Sequence, residues 1–191
     1  CIDAEFSFRR YATDLVRLAG VRLPSVSVVV PNYNYAHLIE ERLHSITRQT
    51  LPLYEIIVLD DSSTDDSLSR IEAVGAAIVP EPRIVENSRN SGSVFRQWKR
   101  GVELARGDYV WIAEADDLSK PGFIEAMVTA LQNQPPAVFA YCQSEQIGID
   151  GVPLAPDYLE YTRELWATRW LTAYVAEGKQ EAGAGLAVKK T

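Results

Sequence analysis

The sequence predicts an α/β domain in which a mostly parallel sheet carries helices on both faces. Three observations support this. Short runs rich in valine and isoleucine recur along the chain, each followed by a segment with apolar residues at helical spacing. The runs are nearly continuous in apolar residues, as strands buried on both sides are. The first four runs each give way to a polar cluster, so polar residues collect at one end of the sheet.

Ahead of the domain, residues 4–19 place Tyr11, Leu15 and Leu18 at roughly helical spacing, an N-terminal helix ended by Gly20 and Pro24. Residues 25–30 are β-branched and form the first strand, closed by Pro31. A helix over 36–49 aligns Ile39, Leu43 and Ile46, with Asn34 as a candidate cap. Residues 54–59 are the second strand, and 62–74 the second helix, with Leu68, Ile71 and Val74 inward. Residues 83–86 form a short third strand. A helix over 93–105 buries Val94, Trp98, Val102 and Ala105, and 109–113 is the fourth strand. Pro121 opens the next helix, since proline suits a first helical position, and that helix buries Ile124, Met127 or Val128, and Leu131. Residues 137–142 are the fifth strand.

Past Cys142 the pattern changes. Asp150-Gly151, between Ile147/Ile149 and Val152/Leu154, suggests a hairpin. Leu165, Trp166, Trp170 and Tyr174 suggest one more amphipathic helix, and 185–188 a last strand. The chain thus divides into an N-terminal helix and linker (1–24), an α/β domain (25–142) and a C-terminal region (143–191).

With 191 residues, 47% of them hydrophobic, the chain suffices for one full core. Its formal net charge of −7 argues against nucleic acid or an anionic membrane as a general partner. Of two cysteines, Cys1 is terminal and Cys142 lies in an apolar run, so no disulfide framework is expected. No segment approaches the roughly 18 consecutive apolar residues that span a bilayer. No signal peptide is visible, and the start at Cys1 reads as a boundary or a processed end.

In open α/β sheets, ligands bind beyond the carboxyl ends of the strands. Those ends carry Pro31-Asn32-Tyr33-Asn34, Asp60-Asp61-Ser62-Ser63, Glu86 through Gly92, and Glu114-Ala115-Asp116-Asp117. Two of the clusters are doubly acidic. Carboxylates packed together repel, so one must take up a proton or a cation must join them. Mg²⁺ or Mn²⁺ suits such oxygens and is commonly held by one or two carboxylates plus substrate phosphates. Such an ion lets an acidic protein bind an anion and stabilises a departing diphosphate. Plainer roles also fit. Ser62, Ser63 or Thr64 can cap the second helix, with Asp65 and Asp66 in its first turn. Asp117 can begin a turn, Asn90 and Gly92 can be turn residues, His37 and His44 solvated, and Trp166 and Trp170 core.

No glycine-rich dinucleotide fingerprint follows the first strand, no P-loop is present, and no serine sits in a nucleophile elbow. A phosphate-receiving signalling domain wants its acidic pair after strand 1, which ends here without a carboxylate. What the residues do resemble is glycosyltransferase family 2. The likeness lies in Val26 to Asn34, Glu55 to Ser67, Asn87 to Gly92 and Ala105 to Asp117, in that order, and spans about residues 25–135.

The resemblance implies the GT-A fold, a Rossmann-like domain that binds a nucleotide sugar (UDP-, GDP- or dTDP-linked) with Mn²⁺ or Mg²⁺. By position, Pro31 and Tyr33 would line the nucleobase pocket, Asn34 would join the nucleotide site, Asp60 would contact the base, and Asp61 or Ser62 would lie nearby. Asn90 and Gly92 would shape the loop near ribose and diphosphate. Ala115 and Asp116 would face the nucleotide, and Asp116, Asp117 and Glu114 would be the metal carboxylates. Glu114 stands where the family's Asp-x-Asp signature has its first aspartate. Inverting transfer to a hydroxyl of a glycan or lipid-linked acceptor is implied, in surface-polysaccharide or other glycan synthesis at the cytoplasmic side of the membrane. The 143–191 region would then be a partial acceptor side. The family's Glu-Asp catalytic pair has no match there, and Glu177 and Glu181 are base candidates by location only. That leaves a second expectation, a non-catalytic nucleotide-binding or scaffold module of the same fold. A nucleotidyltransferase would want a basic glycine-rich loop after strand 1, which this chain lacks.

Overall fold

The computed structural model describes residues 23–142 and, beyond them, Leu18, Gly20, Ile147, Gly148 and the strand Leu186–Lys189. In chain order the elements are β1 (Val26–Asn32), α1 (Ile39–Thr47), β2 (Glu55–Asp60), α2 (Ser67–Gly75), β3 (Arg83–Glu86), α3 (Val94–Leu104), β4 (Tyr109–Ile112), α4 (Phe123–Asn133), β5 (Phe139–Tyr141) and β6 (Leu186–Lys189). One sheet joins the strands in the order β3-β2-β1-β4-β6-β5. β1 pairs in parallel with β2 and β4, and β2 with β3. β6 runs antiparallel between β4 and β5. The sheet is therefore mostly parallel, with one reversed strand. The strand order turns at β1, which puts a switch point beyond the carboxyl ends of β1 and β4.

Alternate strand residues serve opposite faces, and both faces are covered. On one side Val26, Val28, Val30, Ile56, Val58 and Trp111 pack with residues of α1, α2 and α4. On the other, Val29, Ile57, Leu59, Val110 and Ile112 pack with Trp98, Val102 and Leu104 of α3. α3 approaches closely because its residue 101 is glycine. A Cβ there would lie 2.2 Å from Val29 Cγ1.

Several sequence expectations shift. β1 runs through Pro31 to Asn32. Odd-numbered β1 residues face β4, as the Val29 carbonyl accepting from Ala113 N shows, and the β1–β4 ladder has ended by Pro31. The missing proline N–H therefore costs no ladder bond. The first two helices begin later than expected, because Asn34 and residues 62–64 are engaged in the loops described below. Val94 is 42% exposed, not buried, since the inward face of α3 is carried by Gln97 and Gly101. The expected N-terminal helix, the hairpin at Asp150-Gly151 and the helix with Trp166 and Trp170 lie outside the described residues.

Candidate functional site

The ends of β1 and β2 are laced together by side chains. Asp60 is 1% exposed, and its Oδ1 accepts from Asn32 Nδ2 at 2.8 Å and from Ser63 Oγ at 2.6 Å. Its Oδ2 accepts from Ser63 N at 2.9 Å. Ser63 Oγ in turn accepts from Asn34 N at 3.0 Å, and Asn34 Oδ1 accepts from Thr64 N at 2.8 Å. Asn34 and Ser62 both adopt positive φ, 60° and 65°. Asparagine tolerates that region; for serine it is uncommon and signals a backbone held by its surroundings. Asp65 is no passive first-turn charge: its Oδ1 accepts from Ser67 N at 3.0 Å and its Oδ2 from Ala36 N at 2.9 Å. Neither Asn34 nor any of Ser62, Ser63 and Thr64 caps a helix, because these groups tie loop to loop. Pro31 is buried, while Tyr33 is 44% exposed.

Asp61 organises the loop after β3. Its Oδ1 accepts from Asn87 Nδ2 at 2.5 Å, Ser91 N at 2.8 Å and Gln97 Nε2 at 2.8 Å, and its Oδ2 from Ser91 Oγ at 2.7 Å. Asn90 makes the turn itself, accepting from Gly92 N at 2.6 Å, and Gly92 takes a φ of 68° that favours glycine. Asn90 and Gly92 thus form a turn in the loop after β3.

The loop after β4 brings the third acidic group. Ala115 is buried, Asp116 exposed, and Glu114 and Asp117 partly buried. The three carboxylates point to different partners. Glu114 accepts a short hydrogen bond from Trp98 Nε1 of α3. Asp116 accepts from Tyr35 Oη at 3.1 Å, joining the β1 and β4 loops across the switch point. Asp117 lies within the electrostatic reach of Arg42. Burial pushes the Glu114 carboxyl up, more than the Trp98 hydrogen bond lowers it. Burial also raises Asp117, against the pull of Arg42. Burial, and then Asp116, raise the Tyr35 hydroxyl.

Among the described residues, no three His, Cys, Asp or Glu side chains converge as a ready metal cluster. The hydrogen bond from Trp98 engages Oε1 of Glu114. The oxygen-only donors of Asp116 and Asp117 nonetheless fit Mg²⁺ or Mn²⁺, which need only one or two carboxylates when phosphates complete the shell.

Sequence reasoning missed Arg42, Tyr35, Trp98 and Gln97. One signal was legible for Arg42: it sits on the apolar stripe of α1, between Ile39 and Leu43–Ile46, where a charge is out of place. The partnership of Trp98 with Glu114 had no sequence signal, since it joins two elements across the sheet edge.

An open, mostly parallel sheet with laced polar loops at its carboxyl edge defines an open α/β domain. The family model for glycosyl transferase family 2 matches residues 27–178, and the chain belongs to that family. It is 32% identical over 146 residues to TuaG of Bacillus subtilis (strain 168), a glycosyltransferase provisionally assigned to teichuronic acid biosynthesis, covering 72% of this chain and 56% of that one. It is 34% identical over 110 residues to glycosyltransferase GlyG of Streptococcus pneumoniae, covering 57% of this chain and 36% of that one. The chain thus spans between about a third and just over half of these relatives. Among solved structures, a mannosyltransferase from Pyrobaculum calidifontis in complex with GDP-Man and Mn²⁺ matches with TM-score 0.62 at 24% identity, over 95% of this chain and 51% of that one. TarS of S. aureus with UDP-GlcNAc matches with TM-score 0.59 at 24% identity, over 68% and 37%. At such identities the structural likeness bears on the fold, which is that of these transferases.

Proposed function

We propose that this chain is the donor-binding part of a metal-dependent, inverting glycosyltransferase that moves a sugar from a nucleoside diphosphate to an acceptor hydroxyl. The observation that carries the reading is the meeting of the β1, β2, β3 and β4 loops at one sheet edge, braced by Asp60, Asp61 and Tyr35, with Asp116 left exposed. The relatives named above, two of them bound to nucleotide sugars, support it.

In this reading each group has a task. The exposed Tyr33 ring offers an apolar face for the base, over loops fixed by Asp60, Asn32 and Ser63. Asp61 holds the loop at Asn90 and Gly92 where ribose and diphosphate would lie. Asp116 and Asp117 would hold Mn²⁺ or Mg²⁺, which when bound stabilises the leaving diphosphate as a Lewis acid. Glu114 supports the loop through Trp98 and stands outside the ligand set. The acceptor is a glycan or lipid-linked hydroxyl, as in surface-polysaccharide synthesis at the cytoplasmic face of the membrane. No helix among the described residues is long and apolar enough to cross that membrane.

Calorimetry with UDP, GDP and dTDP, each with and without Mn²⁺, tests the reading. One nucleotide binds, and Mn²⁺ tightens it. Folded protein that binds none of the three refutes it.

A further inference from the structure

Arg42 is the least explained charge in the molecule. It is fully buried on α1 among Ile39, Leu43 and Ile46. Arginine is almost never fully buried without a partner. Its Nη1 donates to Ser119 Oγ at 2.8 Å and reaches Ser45 Oγ at 3.5 Å, but Nε and Nη2 have no hydrogen-bond partner among the described residues. The guanidinium lies over the Trp111 ring, 5.3 Å from its centroid. Trp111 precedes Glu114 by three residues and Ser119 follows Asp117 by two, so the cation is anchored on both sides of the acid loop. The charges acting on it are those of Asp117, Glu114 and Asp116; burial lowers it to about 10, so it remains charged at neutral pH.

We propose that Arg42 is the resident cation of this acid loop, a positioning and specificity-determining residue that makes the site take a divalent ion together with a diphosphate and not alone. The proposal rests on the donor-site reading above. Arg42 and a divalent ion both draw on Asp117 and Asp116, so each weakens the hold on the other. A bare ion meets that antagonism in full. An ion arriving with a nucleoside diphosphate brings its own compensating negative charge, and the antagonism largely disappears. The acid loop then does not fill with metal between turnovers.

Mn²⁺ binding followed by electron paramagnetic resonance, without and with UDP, GDP or dTDP, tests this on wild type, R42M, R42Q and R42K. The neutral variants are expected to bind bare Mn²⁺ about tenfold more tightly than wild type, with the nucleotide's enhancement of metal binding reduced by the same factor. R42K, which keeps the charge, stays near wild type. A purely structural role would weaken both affinities together and leave their ratio unchanged. Folded R42M and R42Q with unchanged or weaker bare-ion binding overturn the proposal. So do neutral variants that fold neither alone nor with excess Mn²⁺, because the ion should take over the missing charge. Wild-type protein that binds no nucleotide sinks the donor-site reading instead; nucleotide binding with unchanged coupling in R42M sinks only the role of Arg42.

Discussion

Replacing Asp61 by alanine should loosen the site more than any other single loop change. The side chain is 6% exposed and accepts four hydrogen bonds, from Asn87, Gln97 and two groups of Ser91. Bonds to a charged acceptor contribute about 1.5–3 kcal/mol each, but the donors left behind differ in how they recover. Gln97 keeps its bond to Ser91 Oγ at 2.9 Å, and half-buried Asn87 can turn to water. Ser91 Oγ can turn to Ser93 O at 3.2 Å, which leaves Ser91 N stranded, so D61A should cost about 2 kcal/mol. For a chain of this size that is a fall of about 4–8 °C in melting temperature. D61N keeps an oxygen at the Oδ1 position for three donors, and Ser91 Oγ can turn to accept from the new amide, so it should cost only about 1 kcal/mol. Thermal unfolding by circular dichroism reads both numbers, and calorimetry should show D61A losing nucleotide affinity as the 87–92 loop loses its tether. D61A within about 0.5 kcal/mol of wild type, or D61N as damaging as D61A, would refute the reasoning.

Three further outcomes are expected. G101A forces a methyl to within 2.2 Å of Val29 Cγ1, so overpacking of about 1–3 kcal/mol should outweigh a helix-propensity gain of at most about 1; a urea double-mutant cycle should show the cost falling in a V29A background. At the opposite end of the sheet, Glu55 accepts from Ser27 Oγ at 2.7 Å and from Arg106 N, Nε and Nη2 at 2.7, 3.0 and 2.8 Å. Burial alone would raise this carboxyl, but those bonds hold it below the usual glutamate range. Its stabilisation is therefore present above the unfolded value and lost as pH falls through the folded one: E55Q should be less stable than wild type at pH 7, with the gap closing under acid. Glu114 has the reverse sign. Its folded value is raised by burial, so the folded state keeps the proton above the ordinary glutamate range, and that contribution is lost as pH rises through the folded value. Urea titrations in metal-free buffer should find E114Q more stable than wild type at pH 8, and equal to it as pH falls.

The elements were legible because each apolar period had only one face to bury, and the parallel core followed from strands apolar on both sides. The last strand was expected at 185–188 and lies at Leu186–Lys189, but nothing in its residues told that it would enter the sheet between β4 and β5. That placement is a long-range pairing, and local pattern carries no register information. The positions of the acidic clusters were legible for the same reason as the strands: they come immediately after them. Their roles were not. Asp60 and Asp116 both follow strands in doubly acidic pairs, and only their cross-strand neighbours distinguish them. Asn34 and Ser63 carried strong capping propensities, which the fold spends on joining two loops instead.

That distinction bears on how an acidic edge accommodates an anion. Asp60 and Asp61 are buried, and their charges are met by seven hydrogen bonds from asparagine, glutamine, serine and backbone donors. Such carboxylates need no cation, and moving one to meet a metal would strand its donors. Asp116 has one side-chain hydrogen bond among the described residues, from a tyrosine, and is exposed. Asp117 is half-buried beside a guanidinium that it does not meet in a hydrogen-bonded pair among the described residues. In the donor-site reading, the lone pairs a cation would use are therefore those of the second pair, even though both pairs read alike in sequence. On that reading, the sheet edge separates two demands that one set of carboxylates would meet badly. Asp60 and Asp61 would brace the loops through their hydrogen bonds, and Asp116 and Asp117 would be left for the ion.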